Sequence, residues 1–120
     1  MKRLLIAGAV LSFMPAAAFA ADMSGSWKID ANFGDAIKFS ITCALTETSG
    51  ALAGTCTGPQ GESLKATGTA DATKAVISYD TTYQGGPIHL DYKGDVQPDG
   101  SLKGVIEAGG AEGAFTAVKQ

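Results

Sequence analysis

Apolar side chains fall on every second position through much of the chain. Ile37, Phe39, Ile41, Cys43 and Leu45 alternate with Lys38, Ser40, Thr42 and Ala44, which is the period of a half-buried strand carrying its apolar residues on one face. Trp27, Ile29 and Phe33 form a similar face opposite Lys28 and Asp30. The same grammar returns over Leu64 to Thr69, Ala75 to Thr82, Ile88 to Val96, Leu102 to Glu107 and Gly113 to Lys119, between clusters of Gly, Asp, Ser and Pro. Together with the strand that leaves the Ser49-Gly50 turn, these segments predict eight short strands and no helix.

Two connections fix a register. Cys43 and Cys56, the only cysteines, lie at equal distance from Ser49-Gly50, and a two-residue hairpin loop there opposes Thr48 to Ala51, Leu45 to Gly54 and Cys43 to Cys56. Pair types alternate outward from the turn, so the cysteines occupy a non-hydrogen-bonded pair. Cα atoms in such a pair approach to about 4.5 Å, a span a disulfide bridges. Closing this loop stabilises the fold by about 3 kcal/mol on the chain-entropy account; two buried free thiols are the alternative. Because Cys43 shares the face of Ile41 and Leu45, the cystine is expected to point inward and to be structural. At Pro98-Asp99-Gly100, a three-residue loop with Gly100 left-handed pairs Val96 with Leu102, Gly94 with Gly104 and Tyr92 with Ile106, which keeps one apolar face. A two-residue turn would set Leu102 against Gln97.

Eight antiparallel strands joined by local hairpins are best accommodated by a small up-and-down β-barrel, since closure removes exposed edges. A small sandwich is the alternative. Gly54, Gly68, Gly94 and Gly104 lie inside predicted strands, where glycine marks bends or close backbone approach.

Residues 1–20 read as a secretory signal peptide. Met1-Lys2-Arg3 supplies a positive start, Leu4 to Phe13 an apolar stretch short for a membrane span, and Ala18-Phe19-Ala20 a cleavage site; an uncleaved anchoring helix is the alternative. Cleavage leaves residues 21–120 as a single domain, with no cysteine at its start to accept a lipid. The expected compartment is the periplasm or the exterior, where disulfides persist. Without Lys2 and Arg3 the formal balance moves from 9 basic and 12 acidic side chains to 7 and 12, a net charge of −5, and no arginine remains. This argues against nucleic acid or an anionic membrane surface as partner, because both demand clustered cations.

Gly25-Ser26-Trp27, Leu52-Ala53-Gly54-Thr55, Gly68-Thr69, Tyr92-Lys93-Gly94, Leu102-Lys103-Gly104 and Gly113-Ala114-Phe115 resemble the repeated Gly-x-Trp and Leu-x-Gly grammar of calycin-like barrels, the lipocalins, fatty-acid-binding proteins and avidins. That resemblance implies a calycin-like eight-stranded barrel. Ser24-Gly25-Ser26-Trp27 and the cysteine pair also resemble periplasmic metalloprotease inhibitors. Those insert an N-terminal trunk into the protease cleft, whereas only Ala21-Asp22-Met23 precede Ser24 here.

Catalytic chemistry has few candidates. His89 is the only histidine, and together with Asp91 it is expected on the solvated outer face. No Gly-x-Ser-x-Gly elbow or metal-ligand cluster is present, and a bonded cysteine pair leaves no thiolate. Asp91 and Asp95 are a weak calcium candidate, better explained as surface carboxylates. No cofactor or metal and no enzymatic activity are expected. Binding needs only concavity: inward-facing Trp27, Phe39, Ile41, Tyr92, Ile106 and Phe115 are the candidate lining for a small apolar molecule, with the tyrosine hydroxyl as an orienting group. The alternative is that they fill the barrel, as side chains commonly do at eight strands. Tyr79, Tyr83, Gln84 and Gly85-Gly86-Pro87 are expected to form a long irregular loop at its rim. Two functions follow as expectations: a secreted module that binds a small apolar ligand inside the barrel, or a protein-interaction module, such as a protease inhibitor, whose N-terminal residues project free.

Overall fold

The computed structural model describes residues 22–120; the signal peptide expected over residues 1–20 lies outside them. Eight strands follow one another: β1 (Gly25–Phe33), β2 (Ile37–Thr48), β3 (Ala51–Thr57), β4 (Ser63–Ala70), β5 (Lys74–Tyr83), β6 (Gly86–Val96), β7 (Leu102–Ala108) and β8 (Ala111–Lys119). Each is antiparallel to the next, and β8 pairs with β1 to close the barrel. Among the described residues there is no helix, and so none long and apolar enough to cross a membrane.

Both predicted registers are present. Cys43 faces Cys56 with Cα atoms 3.9 Å apart, joined as a disulfide between β2 and β3, and both residues are fully buried. Ser49 and Gly50 take φ of 50° and 84°, positive at both central residues as a type I′ turn requires. At the far hairpin the Gln97 amide donates to the Ser101 carbonyl at 2.8 Å and Gly100 donates to Gln97 at 2.8 Å. Tyr92 therefore faces Ile106, and Val96 faces Leu102.

The connection after β5 is not the long loop expected. Tyr83 pairs directly with Gly86, leaving a two-residue turn in which Gln84 and Gly85 have φ of 52° and 84°. The Gly-Gly-Pro run suggests a break, but Pro87 sits opposite Thr82 at a non-hydrogen-bonded position, so its nitrogen faces away from β5. The last β6–β7 pair is Leu90 with Ala108, so no strand stands on that side to need an N–H. The β5–β6 hairpin thus projects four residue pairs beyond the wall.

The two ends differ. At the base, the Trp27 indole N–H donates to the Met23 carbonyl at 2.9 Å, the Met23 amide donates to the Glu47 carboxylate at 2.7 Å, and the Glu47 amide donates to the Ser24 hydroxyl at 2.8 Å. Met23 is 1 % exposed and plugs that end. The N-terminal residues 22–24 are docked rather than projecting, contrary to what an inhibitory arm requires. At the opposite end the wall parts: the β4–β5 ladder begins only at Thr67–Ser78, and from there residues 63–66 and 79–83 run on without pairing to each other.

Candidate ligand-binding site

A cavity of about 370 Å³ occupies the parted end. Phe33, Phe39, Leu64, Tyr79, Ile88 and Leu90 line it, with Ile37 and Tyr83 at the mouth. Their placement follows from strand parity: Tyr79 and Leu90 face each other across β5 and β6, and Phe33 and Ile37 face each other beside the β1–β2 turn. Ile37 and Tyr83 are 39 % and 50 % exposed, which places large apolar surface at an open rim. Four of the described residues rank as exposed large hydrophobics, and the other two, Val105 and Val118, are not in this lining.

The polar side chains of the lining are Gln60, Glu62, Thr81, Thr82 and the hydroxyls of Tyr79 and Tyr83. At the floor, the Tyr79 and Tyr92 hydroxyls are 2.5 Å apart. Both side chains are buried, and the Tyr92 ring meets Phe115 edge-on at 5.3 Å between centroids. Burial pushes both phenols above their ordinary range, opposed at Tyr79 by its bond to Tyr92 and furthered by the nearby Glu62 charge. At the rim, Glu62 is the only acidic or basic side chain of the lining. Its carboxylate accepts the Gln60 amide at 2.9 Å, and the β3–β4 loop is closed by the Gly58 amide donating to the Glu62 carbonyl at 2.8 Å.

The six residues expected to line a pocket divide between two environments. Phe39 lines the cavity. Trp27, Ile41, Tyr92, Ile106 and Phe115 are buried at 3 % exposure or less and pack into the core beneath it. Phe39 aside, the lining comes from residues nearer the turns, and Leu64, Tyr79, Ile88 and Leu90 already carried the strand alternation that identifies inward positions. What local pattern could not show is the parting of β4 from β5, because pairing between strands is a non-local property.

His89 and Asp91 stand outside the cavity on the outer face of β6, as parity predicts, but they are networked rather than simply solvated. His89 Nδ1 lies 2.7 Å from Asp80 and Nε2 lies 3.0 Å from Asp91, while the Ser78 hydroxyl donates to Asp91 at 2.5 Å. Hydrogen bonds donated by the ring to Asp80 and then to Asp91 hold the imidazole above its usual range; the Ser78 hydroxyl, ahead of His89, holds Asp91 below the usual carboxylate range. Asp95 pairs instead with Lys74 at 2.8 Å. A second depression of 390 Å³ on the outer face is edged by Lys74, Lys93, Asp95 and Glu107, whose charges pair with one another.

No protein-family model matches the chain, and no curated protein matches it in sequence. The closed eight-stranded antiparallel barrel is consistent with a calycin-like fold.

Proposed function

We propose that this protein is a secreted or periplasmic calycin-like module that binds a small apolar molecule, without catalysing a reaction, in the cavity at the parted end of its barrel. The observation that carries the reading is the coincidence of a 370 Å³ apolar cavity with exposed Ile37 and Tyr83 at its mouth. That volume lies at the low end of the range for small-molecule pockets, and it favours a compact ligand over a long chain. Exposed apolar surface gathered around a concavity is stabilised by an occupant that removes it from water, at about 25 cal/mol per Å² buried. The buried cystine supports an oxidising compartment. His89, the only histidine, stands on the outer face away from the cavity, which favours binding over acid–base work at this site. The protease-inhibitor reading is supported less well, because Met23 is held in the base of the barrel.

Equilibrium titration with ethylnaphthalene, followed by the probe's own fluorescence, tests the reading. One saturable site is expected in the native protein, lost in Ala111→Trp, which places bulk at an exposed lining position while leaving the core untouched. Absence of saturable binding, or unchanged binding in that variant, contradicts it.

A further inference from the structure

The tyrosine pair at the floor contains one hydrogen more than it can use. Each hydroxyl carries a single donor hydrogen, and the 2.5 Å contact between Tyr79 and Tyr92 places one hydrogen between the two oxygens. The second hydrogen finds no acceptor among the described residues, although Tyr79 is 4 % exposed and Tyr92 fully buried. A buried donor without a partner is costly. Two orientations exist. If Tyr79 donates to Tyr92, the spare hydrogen sits on Tyr92, which does not line the cavity. If Tyr92 donates to Tyr79, the spare hydrogen sits on Tyr79, which does. An acceptor inside the cavity satisfies only the second arrangement, so such a ligand selects it.

The rim limits the kind of acceptor. Glu62 is the only acidic or basic lining side chain, no lysine lines the cavity, and no arginine occurs beyond position 3. A carboxylate or sulfonate ligand would lose its hydration with no cation to replace it, close to a like charge. Burial keeps Tyr79 protonated, and hence a donor, throughout the neutral range.

Resting on the cavity-binding reading above, we propose that the cavity selects an uncharged, compact apolar molecule bearing one hydrogen-bond-accepting oxygen (a ketone, aldehyde, ester or ether), and that Tyr79 donates to that oxygen. Tyr92 donates to the Tyr79 oxygen from behind and makes no contact with the ligand. Glu62 excludes anionic analogues.

Three probes of nearly equal shape separate these statements: ethylnaphthalene, methyl naphthyl ketone and naphthoate, titrated into the native protein and into Tyr79→Phe, Tyr92→Phe and Glu62→Gln. The ketone is expected to bind about 3- to 10-fold more tightly than the hydrocarbon, the range of one net hydrogen bond, and naphthoate at least 10-fold more weakly than the ketone. Tyr79→Phe removes the ketone's advantage and leaves hydrocarbon binding in place; Tyr92→Phe retains the advantage, because Tyr79 still donates; Glu62→Gln narrows the gap between naphthoate and ketone. Trp27 fluorescence confirms that each variant is folded. Equal binding of ketone and hydrocarbon, or a ketone preference that survives Tyr79→Phe, overturns the inference while leaving the cavity reading intact. Binding of no probe at all overturns the cavity reading itself.

Discussion

Gly104 faces Gly94 across β6 and β7, and the two glycines serve different ends. A Cβ at position 104 would lie 2.0 Å from the Lys93 carbonyl oxygen, whereas one at position 94 would lie 2.9 Å from the Phe115 ring. The first contact is with backbone, which cannot move aside. The second is with a ring that occupies the space a side chain would otherwise fill. Gly104→Ala is therefore expected to destabilise the fold by about 1–3 kcal/mol, the usual cost of forced overpacking, read as a lowered urea midpoint; an unchanged midpoint would show that β6 and β7 separate more readily than this packing implies. A strand glycine is visible in the sequence as an oddity, but the partner it makes room for is not. His89 shows the same limit. Its outward face follows from parity, yet its contacts with Asp80 and Asp91 depend on the cross-strand neighbour. These contacts raise the imidazole's folded pKa, so their stabilisation is complete below the unfolded value of about 6.5 and fades as pH rises through the folded one. Asp91 has the opposite sense: its lowered pKa gives stability above the unfolded value of about 3.9 that is lost as pH falls through the folded one. The projecting hairpin is thus best braced between those limits. An NMR titration is expected to place the His89 midpoint above that of a free histidine and to bring it down in Asp80→Asn; an unshifted native midpoint would remove the brace.

Among the elements, the β2–β3 hairpin was the most legible, because turn, symmetry and apolar face all point to one register. Reduction, or replacement of both cysteines by alanine, is expected to cost about 2–4 kcal/mol by calorimetry or denaturant titration. A loss near zero would show that the hydrogen-bonded ladder already holds these strands together. The β5–β6 hairpin was the least legible: Gly85-Gly86-Pro87 has the composition of a loop, and only the absence of a β7 partner beyond Leu90 lets proline stand in strand geometry there. The N-terminal segment is opaque for a similar reason, since nothing local announces that Met23 closes the base. Its burial beside Trp27, the only tryptophan, makes it testable. Met23→Ala is expected to lower stability by about 2 kcal/mol and to shift Trp27 emission to the red through hydration of the indole. Unchanged emission would indicate that the segment leaves the base in solution, as an inhibitory arm would.

At the scale of the molecule, one end is closed by Met23 and Trp27 and the other stands parted between β4 and β5. The filled lower core and the open upper cavity satisfy two demands that compete in so small a barrel. Packing at Trp27, Ile77, Tyr92, Leu102 and Ile106 supplies the stability, so the unpaired wall above it can be tolerated; on the proposed function it is where a ligand enters. Alternation told which residues point inward; it could not divide them between packed core and cavity, since that depends on where two neighbouring strands cease to pair. The measurement that most directly tests the account is an amide NMR titration of the protein with methyl naphthyl ketone. Saturable shifts are predicted at Phe39, Leu64, Tyr79 and Leu90, with Trp27 and Val105 unmoved. Shifts centred on Trp27 or on the outer face at Val105, or none that saturate, would contradict it.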